Sequence, residues 1–398
     1  MLNATVEMIG RRLRVGLVGG GEGSLIGATH RIAMRLDDRY EIIAGVLSSN
    51  GEKAVELGRK LGIARPYASL SDMLNAERER QDPIDVVAIM TPNDSHVSSA
   101  IAALDAGFHV ICDKPVANTL DDALALAQKV RESGRRFMVT YNYTGYPMVR
   151  QARAMIAAGV IGAPHLVEVR YAQGNLSSLV EHQPDLPVQL QWRLDPARGG
   201  AENLLLDIGT HAHHLATYVT GRPFETVFAD MGPALKGRRF DDTAVILGRL
   251  AGDLRVSLSL TKAATGAPQV FGIEVYGEKG GLQWEQGLPN VLRHTRQGKP
   301  LEVYGRATEG LLPLASHSIH SPPHHPEGFR EAFSSIYSDF ADVLAAEIAG
   351  VAPPAVSLHY PGIQDDVDGL AWVEACARSR KEGGWAPLAK NPIAEAGP

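Results

Sequence analysis

Between residues 12 and 145 the chain alternates short, almost unbroken apolar runs with longer stretches whose apolar residues recur every three or four positions. The runs cover 13–18, 41–47, 85–90, 109–112 and 136–141 and lack the polar alternation of a half-exposed strand. That texture predicts parallel strands buried on both faces. The stretches 26–36, 52–61, 95–106 and 120–131 carry helical periodicity, and Thr119 followed by Asp122 makes a helix start. Strands alternating with helices imply right-handed crossovers and a doubly wound parallel sheet of the Rossmann kind.

After residue 145 the pattern changes. One more helix is expected at 147–158, closed by Gly159, and alternating strands follow at 165–171, 226–231, 243–249, 254–261 and 271–276. Gly277-Glu278-Lys279-Gly280-Gly281 then turns the chain into 282–284. Residues 202–218 form a helical insertion among these strands, a mixture that predicts an α+β domain with an open, mainly antiparallel sheet. The Pro-, His- and Gly-rich stretch 289–325 reads as a long irregular loop, 328–349 and 364–380 as helices, and 391–398 as a frayed end. The expected chain is thus α/β. A Rossmann-type domain spans 12–145, and an α+β domain spans 146–390, its last helix returning toward the first.

Composition narrows the partners. A length of 398 residues allows two to three domains at ~150 residues each. The 44% hydrophobic and 21% charged fractions are those of an ordinary soluble protein. A net charge of −6 without a basic block argues against nucleic acid. Two cysteines, Cys112 and Cys376, build no disulfide framework, and Met1-Leu2-Asn3-Ala4-Thr5 does not open a signal peptide. No apolar stretch approaches the ~20 residues of a membrane span. The expectation is a cytoplasmic protein with neither a nucleic-acid nor a membrane partner.

Gly19-Gly20-Gly21-Glu22-Gly23-Ser24-Leu25-Ile26-Gly27 follows the first strand, where a pyrophosphate rests on N–H groups at a helix N-terminus. A G-x-G-x-x-G fingerprint would put Ser24 at its third glycine. A three-residue insertion moves that role to Gly27, the preferred reading because the amphipathic helix begins at Ile26. Gly19, Gly21, Gly23 and Gly27 are therefore the candidate phosphate contacts, with a ligand-free glycine turn as the plain alternative. At the second strand's tip, Leu47-Ser48-Ser49-Asn50-Gly51-Glu52-Lys53 has no acid placed to read a ribose 2′-hydroxyl. Ser48, Ser49, Asn50 and Lys53 suit a 2′-phosphate, although a solvated helix residue explains Lys53 equally well. The cofactor expected is NADP or NAD, with NADP favoured.

Thr91, Pro92 and Asn93 follow the third run, at a strand end where α/β sheets bind ligands, and a helix cap would explain Asn93 as readily as a ribose contact. Lys114 stands just past the fourth run in Cys112-Asp113-Lys114-Pro115, where reduced solvation suits a lysine to proton relay. Asp207 and His211, four residues apart on one helix, would face the same way, the carboxylate orienting the imidazole. His211-Ala212-His213-His214 and the loop histidines His317, His320, His324 and His325 lack zinc-ligand spacing, so no metal is expected.

Together these residues resemble the glucose–fructose oxidoreductase/inositol dehydrogenase (Gfo/Idh/MocA) family from about Arg12 to Leu388. The landmarks are the glycine loop with His30, Thr91-Pro92-Asn93, Asp113-Lys114-Pro115 where the family commonly has Glu-Lys-Pro, Tyr141-Asn142-Tyr143, Trp192-Arg193, and Asp207-Ile208-Gly209-Thr210-His211. The resemblance implies a catalytic set of Lys114, Asp207 and His211, and contacts to the nicotinamide end from Asn93, Lys114, Trp192 and Arg193. His96, Asp113 and Asn142 join the expected cofactor contacts, and a homodimer or homotetramer joined through the open sheet is implied. Tyr143-Thr144-Gly145-Tyr146 lacks the arginines the family often has there. The expected activity is hydride transfer between nicotinamide and a hydroxyl carbon of a sugar, polyol or sugar derivative. Its rivals are a glycosidase that uses tightly held NAD(P) for transient oxidation and a noncatalytic NAD(P)-responsive regulator. A pure binder has no need of the acid–base set.

Overall fold

The computed structural model describes residues 3–186 and 188–389, and the expected frayed end at 391–398 lies outside the described residues. The chain divides into two compact units, Met1–Asn142 with Phe329–Asp366, and Tyr143–Gly328 with Val367–Pro398.

In the first unit the strands are β1 (Leu13–Gly19), β2 (Tyr40–Val46), β3 (Arg65–Pro66), β4 (Val86–Met90), β5 (His109–Cys112) and β6 (Phe137–Val139). Among the described residues they form a parallel sheet in the order β3-β2-β1-β4-β5-β6. β4 and β5 are buried throughout, which accounts for their unbroken apolar runs. The strand order reverses between β1 and β4, where Gly19 pairs with Met90, so a crevice opens at their carboxyl ends. Two short elements escape the periodicity: β3, and the helix Leu70–Arg78 capped by Ser69.

The helix Phe329–Ala349 packs in this unit, although a boundary at 145 assigns it to the other. Its stripe of Phe333, Ile336, Tyr337, Phe340, Ala341 and Leu344 completes one core with Leu13, Val15, Leu17, Ala33 and Met34. Polar ties fix its register, since the Tyr40 hydroxyl donates to Tyr337 O at 2.7 Å and Arg39 pairs with Asp342 at 2.7 Å. Apolar spacing shows that the helix exists, whereas its packing partner is set by burial against a sheet some 300 residues earlier, which periodicity does not encode.

The second unit contains β7 (Pro164–Ala172), β8 (Phe224–Gly232), β9 (Thr243–Leu250), β10 (Leu254–Thr261), β11 (Val270–Gly277), β12 (Gly281–Glu285), β13 (Val291–Thr295), β14 (Glu302–Gly305) and β15 (Ala386–Pro387). Among the described residues they form an open sheet ordered β14-β13-β12-β11-β7-β10-β9-β8-β15. Its pairings are antiparallel except for β7 with β10. β13 and β14 lie inside the stretch expected to be irregular. They pair as a hairpin in which Leu292 and His294 are buried, and the run is too short and polar for its alternation to stand out. The helix Thr210–Thr220 is buried along nearly its whole length, and a π-helical turn at Leu205–Gly209 leads into it. No helix among the described residues is long and apolar enough to cross a membrane.

Candidate active site

In the first unit, most of the expected cofactor contacts gather at the carboxyl ends of β1, β2, β4, β5 and β6. The loop between β1 and the helix Leu25–Leu36 carries Gly19, Gly21 and Gly23, with Gly27 inside the helix. Ser24 is the helix N-cap, its hydroxyl oxygen accepting from Gly27 N at 3.1 Å. The close-approach position is Gly27, because a Cβ there would stand 2.2 Å from Gly20 O. A Cβ on Gly21 would stand 2.2 Å from Leu47 O, so the loop backbone presses against the end of β2. Both glycines thus let backbone approach backbone closely, and the loop runs straight into a helix N-terminus, the setting that suits a pyrophosphate.

After β2, Asn50 caps the helix Gly51–Lys60, its Oδ1 accepting from Lys53 N at 2.9 Å, and Ser48 Oγ accepts from Asn50 N at 3.2 Å. Both acceptors are turned to the backbone, which leaves the Ser48 hydroxyl hydrogen and the Asn50 amide hydrogens as donors. Ser49 is exposed, and the Lys53 ammonium lies 3.6 Å from the Glu22 carboxylate in an exposed pair.

Past β4, Thr91 Oγ1 accepts from the Ser95 hydroxyl at 2.8 Å, and Pro92 precedes the single turn Asn93–Ser95. Asn93 Nδ2 donates to Asn118 at 3.3 Å. His96 is fully buried, with its ring nitrogens 2.8 Å from Thr91 O and 2.9 Å from Pro115 O, so it braces the segments after β4 and β5. Asp113 Oδ1 accepts from Lys114 N at 3.0 Å and from the Thr140 hydroxyl at 2.7 Å. The same oxygen lies 3.9 Å from His30 Nε2. Burial lowers the His30 pKa against the opposing pull of Asp113, and His30 Nδ1 lies 2.6 Å from the Tyr337 hydroxyl. Lys114 is half-buried and begins a cis peptide with Pro115. Asn142, 2% exposed, has an Nδ2 donor with no hydrogen-bond partner, as expected of a residue that meets a polar ligand. Tight glycine backbone and a buried unsatisfied donor fit a bound dinucleotide.

In the second unit, His211 lies in the first turn of the helix Thr210–Thr220, buried edge-on to Tyr143 with ring centroids 4.8 Å apart. Tyr143 and Tyr171 share a 2.9 Å hydroxyl contact, and burial raises both phenol pKa values. Asp207 sits in the π-helical turn, so the step to His211 crosses from the wider winding into the α-helix. Gly209 admits the Trp372 indole there, 3.1 Å from where a Cβ would stand. The Asp207 carboxylate, one-quarter exposed, accepts from the ammonium of Lys262 at 2.7 Å. Trp192 and Arg193 lie on the helix Val188–Leu194, with the guanidinium over the indole at 5.4 Å. The Arg193 carbonyl accepts from Asn203, whose Oδ1 lies 3.4 Å from the Lys262 ammonium.

The neighbouring histidines diverge. His213 stacks on Phe224 with centroids 5.0 Å apart, and His214 packs toward Tyr218. Among the described residues no three His, Cys, Asp or Glu side chains form a metal-binding group.

Sequence reasoning missed Lys262, Tyr171, Asn203 and the buried Asp366. For Lys262 a signal existed. Leu254, Val256, Leu258 and Leu260 are the buried phase of β10, and the next position of that phase is a lysine. Pairing of Tyr171 with Leu260 then puts the tyrosine beside it.

Residues 13–141 match the oxidoreductase family with the NAD-binding Rossmann fold, and residues 149–283 match the GFO/IDH/MocA C-terminal domain. An oxidoreductase from Sinorhizobium meliloti is 41% identical at a TM-score of 0.84, over 94% of this chain and 99% of that one. An inositol dehydrogenase homolog from Azotobacter vinelandii, solved with NADH and myo-inositol, is 31% identical at a TM-score of 0.85, over 96% and 99%. The oxidoreductase YfiI of Bacillus subtilis is 30% identical over 96% of this chain and 98% of its own. The chain belongs to the Gfo/Idh/MocA family and is an NAD(P)-dependent oxidoreductase.

Proposed function

We propose that this enzyme moves a hydride between a hydroxyl-bearing carbon of a sugar or polyol and a nicotinamide cofactor. The observation that carries the reading is His211, buried against Tyr143 one helical turn from an ion-paired Asp207, in a chain with an NAD-binding Rossmann unit. The cofactor, when bound, supplies the hydride acceptor or donor. In the oxidation direction His211 takes the substrate hydroxyl proton and Asp207 supports the charge that forms on the ring. Lys114, at the end of β5, is the second proton-handling group of the set. A bound polyol suits this chemistry, as in the Azotobacter vinelandii homolog solved with NADH and myo-inositol.

The phosphates rest on Gly19, Gly21, Gly23 and Gly27. Thr91, Pro92, Asn93, His96, Asp113 and Asn142 set the nicotinamide half. The donors of Ser48 and Asn50, with Ser49 and Lys53, favour NADP, because the exposed Lys53–Glu22 pair is worth ~1 kcal/mol or less and yields to a phosphate. The free, buried thiols Cys112 and Cys376 suit the reducing cytoplasm. The outward apolar residues Val245 and Leu247 on β9 suit a homodimer or homotetramer joined at the open sheet.

A panel of sugars and polyols that includes myo-inositol, run with NAD and with NADP and followed at the nicotinamide absorbance, tests the reading. Turnover of at least one hydroxyl substrate is expected. Cofactor binding without any turnover, or glycoside hydrolysis with retained cofactor, overturns it. NAD binding ten times more tightly than NADP, a difference of ~1.4 kcal/mol, refutes the assignment at Ser48 and Lys53.

A further inference from the structure

Lys262 is a buried cation that none of the sequence motifs uses. Only 3% of its side chain is exposed, and its ammonium donates to Asp207 Oδ2 at 2.7 Å and toward Asn203 Oδ1 at 3.4 Å. Long lysine side chains ordinarily carry their charge out to water, so one held inside needs its position fixed from several sides. The main chain is fixed first. Lys262 N donates to Asp242 O at 2.8 Å, and Lys262 O accepts from Leu176 N at 2.8 Å. The inward phase of β10 then aims the side chain at the π-helical turn. Asn203 completes the seat, since donation by its Nδ2 to Arg193 O leaves its Oδ1 facing the ammonium.

The groups around the Asp207 carboxylate come from four elements. Lys262 approaches from the end of β10, Tyr171 from β7 and Tyr143 from the turn Asn142–Gly145, while His211 lies one turn along. The charge of Asp207 reaches both phenols. Among these groups Lys262 supplies a fixed positive charge, and the phenols are neutral near pH 7.

We propose that Lys262 is a positioning residue: it holds the Asp207 carboxylate in place and sets the pH at which the Asp207–His211 pair takes up its proton. The ion pair neutralises the carboxylate while His211 is uncharged, so adding a proton creates a net positive charge in a buried site. The cation thereby keeps the imidazole available as a base near neutral pH. Without it the pair would hold a proton already, whichever atom carries it. The functional consequence rests on the proposed roles of Asp207 and His211, whereas the electrostatic one does not.

The test uses the full-length, cofactor-free protein. The His211 imidazole resonance, assigned by its loss in His211→Asn, is titrated in the wild type, Lys262→Gln and Lys262→Arg. Lys262→Gln is expected to raise the midpoint by about one pH unit, a tenfold change in proton affinity, while Lys262→Arg stays near the wild type. An unchanged midpoint in Lys262→Gln, or equal shifts in both variants, overturns the proposal. Should Lys262→Gln fail to fold, Asp207→Asn/Lys262→Gln is compared with Asp207→Asn. The two differ by the lysine charge alone, so the same upward shift is required. With any substrate the panel turns over, the acid limb of kcat/KM must move up in Lys262→Gln and return with Lys262→Arg. A silent panel refutes the proposed activity, and the imidazole titration still decides the role of Lys262.

Discussion

The Tyr141 hydroxyl donates to Asp366 Oδ1 at 2.7 Å, tying the end of the last Rossmann strand to a residue 225 positions later. The other carboxyl oxygen accepts from Val116 N at 3.1 Å, two residues past Lys114. One fully buried carboxyl group thus anchors the segment that presents the candidate proton-handling lysine.

Burial pushes the Asp366 carboxyl up to about 6, with the Tyr141 and Val116 hydrogen bonds and the Lys114 charge pulling the other way. The folded state therefore holds this proton more tightly than the unfolded chain does. The stability contributed by the protonated form is complete below about pH 4 and is lost as pH rises through about 6, on the order of 3 kcal/mol in all. Asp366→Asn removes that dependence. In urea unfolding at pH 4, 5, 6 and 7, the stability difference between wild type and variant should shift in the variant's favour as pH rises. Parallel stability curves would show that Asp366 does not titrate in this range.

Gly27 and Ser24 separate two roles that one glycine fingerprint would merge. Gly27→Ala forces a Cβ to within 2.2 Å of Gly20 O, so loop or helix must move, at a cost of ~1–3 kcal/mol and with loss of cofactor affinity. Ser24→Ala removes only the cap, costs ~1 kcal/mol and leaves cofactor binding largely intact. Denaturation paired with cofactor titration by fluorescence distinguishes them. Equal effects on binding would place the phosphate contact elsewhere.

The contrast between Gly27 and Lys262 shows where the sequence was legible. The glycine role could be read because strand, turn and helix are adjacent in the chain, and each is marked by local periodicity or a cap. The position of Lys114 could be read likewise, since it follows an apolar run that forms β5. Lys262 needed two further facts: the burial phase of β10, and a long-range meeting with a residue 55 positions earlier. Asp366 was harder still, a carboxylate near the start of a helix whose burial depends on meeting Tyr141, 225 positions earlier. The π-helical turn at Leu205–Gly209 has no periodic signature, so Asp207 and His211 were placed on an ordinary helix. Tertiary partners decided each of these cases.

The buried pair makes Asp207 a stability residue as well. Asp207→Ala strands the Lys262 ammonium with Asn203 as its remaining side-chain partner and should cost ~3 kcal/mol. Removing the lysine too, in Asp207→Ala/Lys262→Met, should recover much of that loss, because no buried charge is left uncompensated. Chemical denaturation of the two single variants and the double gives the coupling. If the double variant loses the sum of the singles, the pair carries no interaction energy.

His211 and Lys114 are expected to carry the proton chemistry, and removal of either tests this. Hydride leaves a carbinol carbon readily only when the hydroxyl proton has an acceptor in place. Positioned acid–base groups typically contribute ~10²–10⁴-fold, so His211→Ala and Lys114→Ala should each lower turnover by that order. Cofactor affinity should persist in His211→Ala, whose side chain lies among Tyr143 and Tyr171 in the second unit rather than on the Rossmann strands. Asp207→Asn should cost less than His211→Ala, since the amide keeps an oxygen acceptor and leaves the base in place. The variants are compared on the substrate found by the panel, with kcat and KM resolved and pH varied. Loss of the acid limb in His211→Ala identifies the imidazole as the group that must be neutral. Near-normal turnover in both His211→Ala and Lys114→Ala would mean that the proton travels by another route, with the Tyr143–Tyr171 hydroxyl pair the next group to remove.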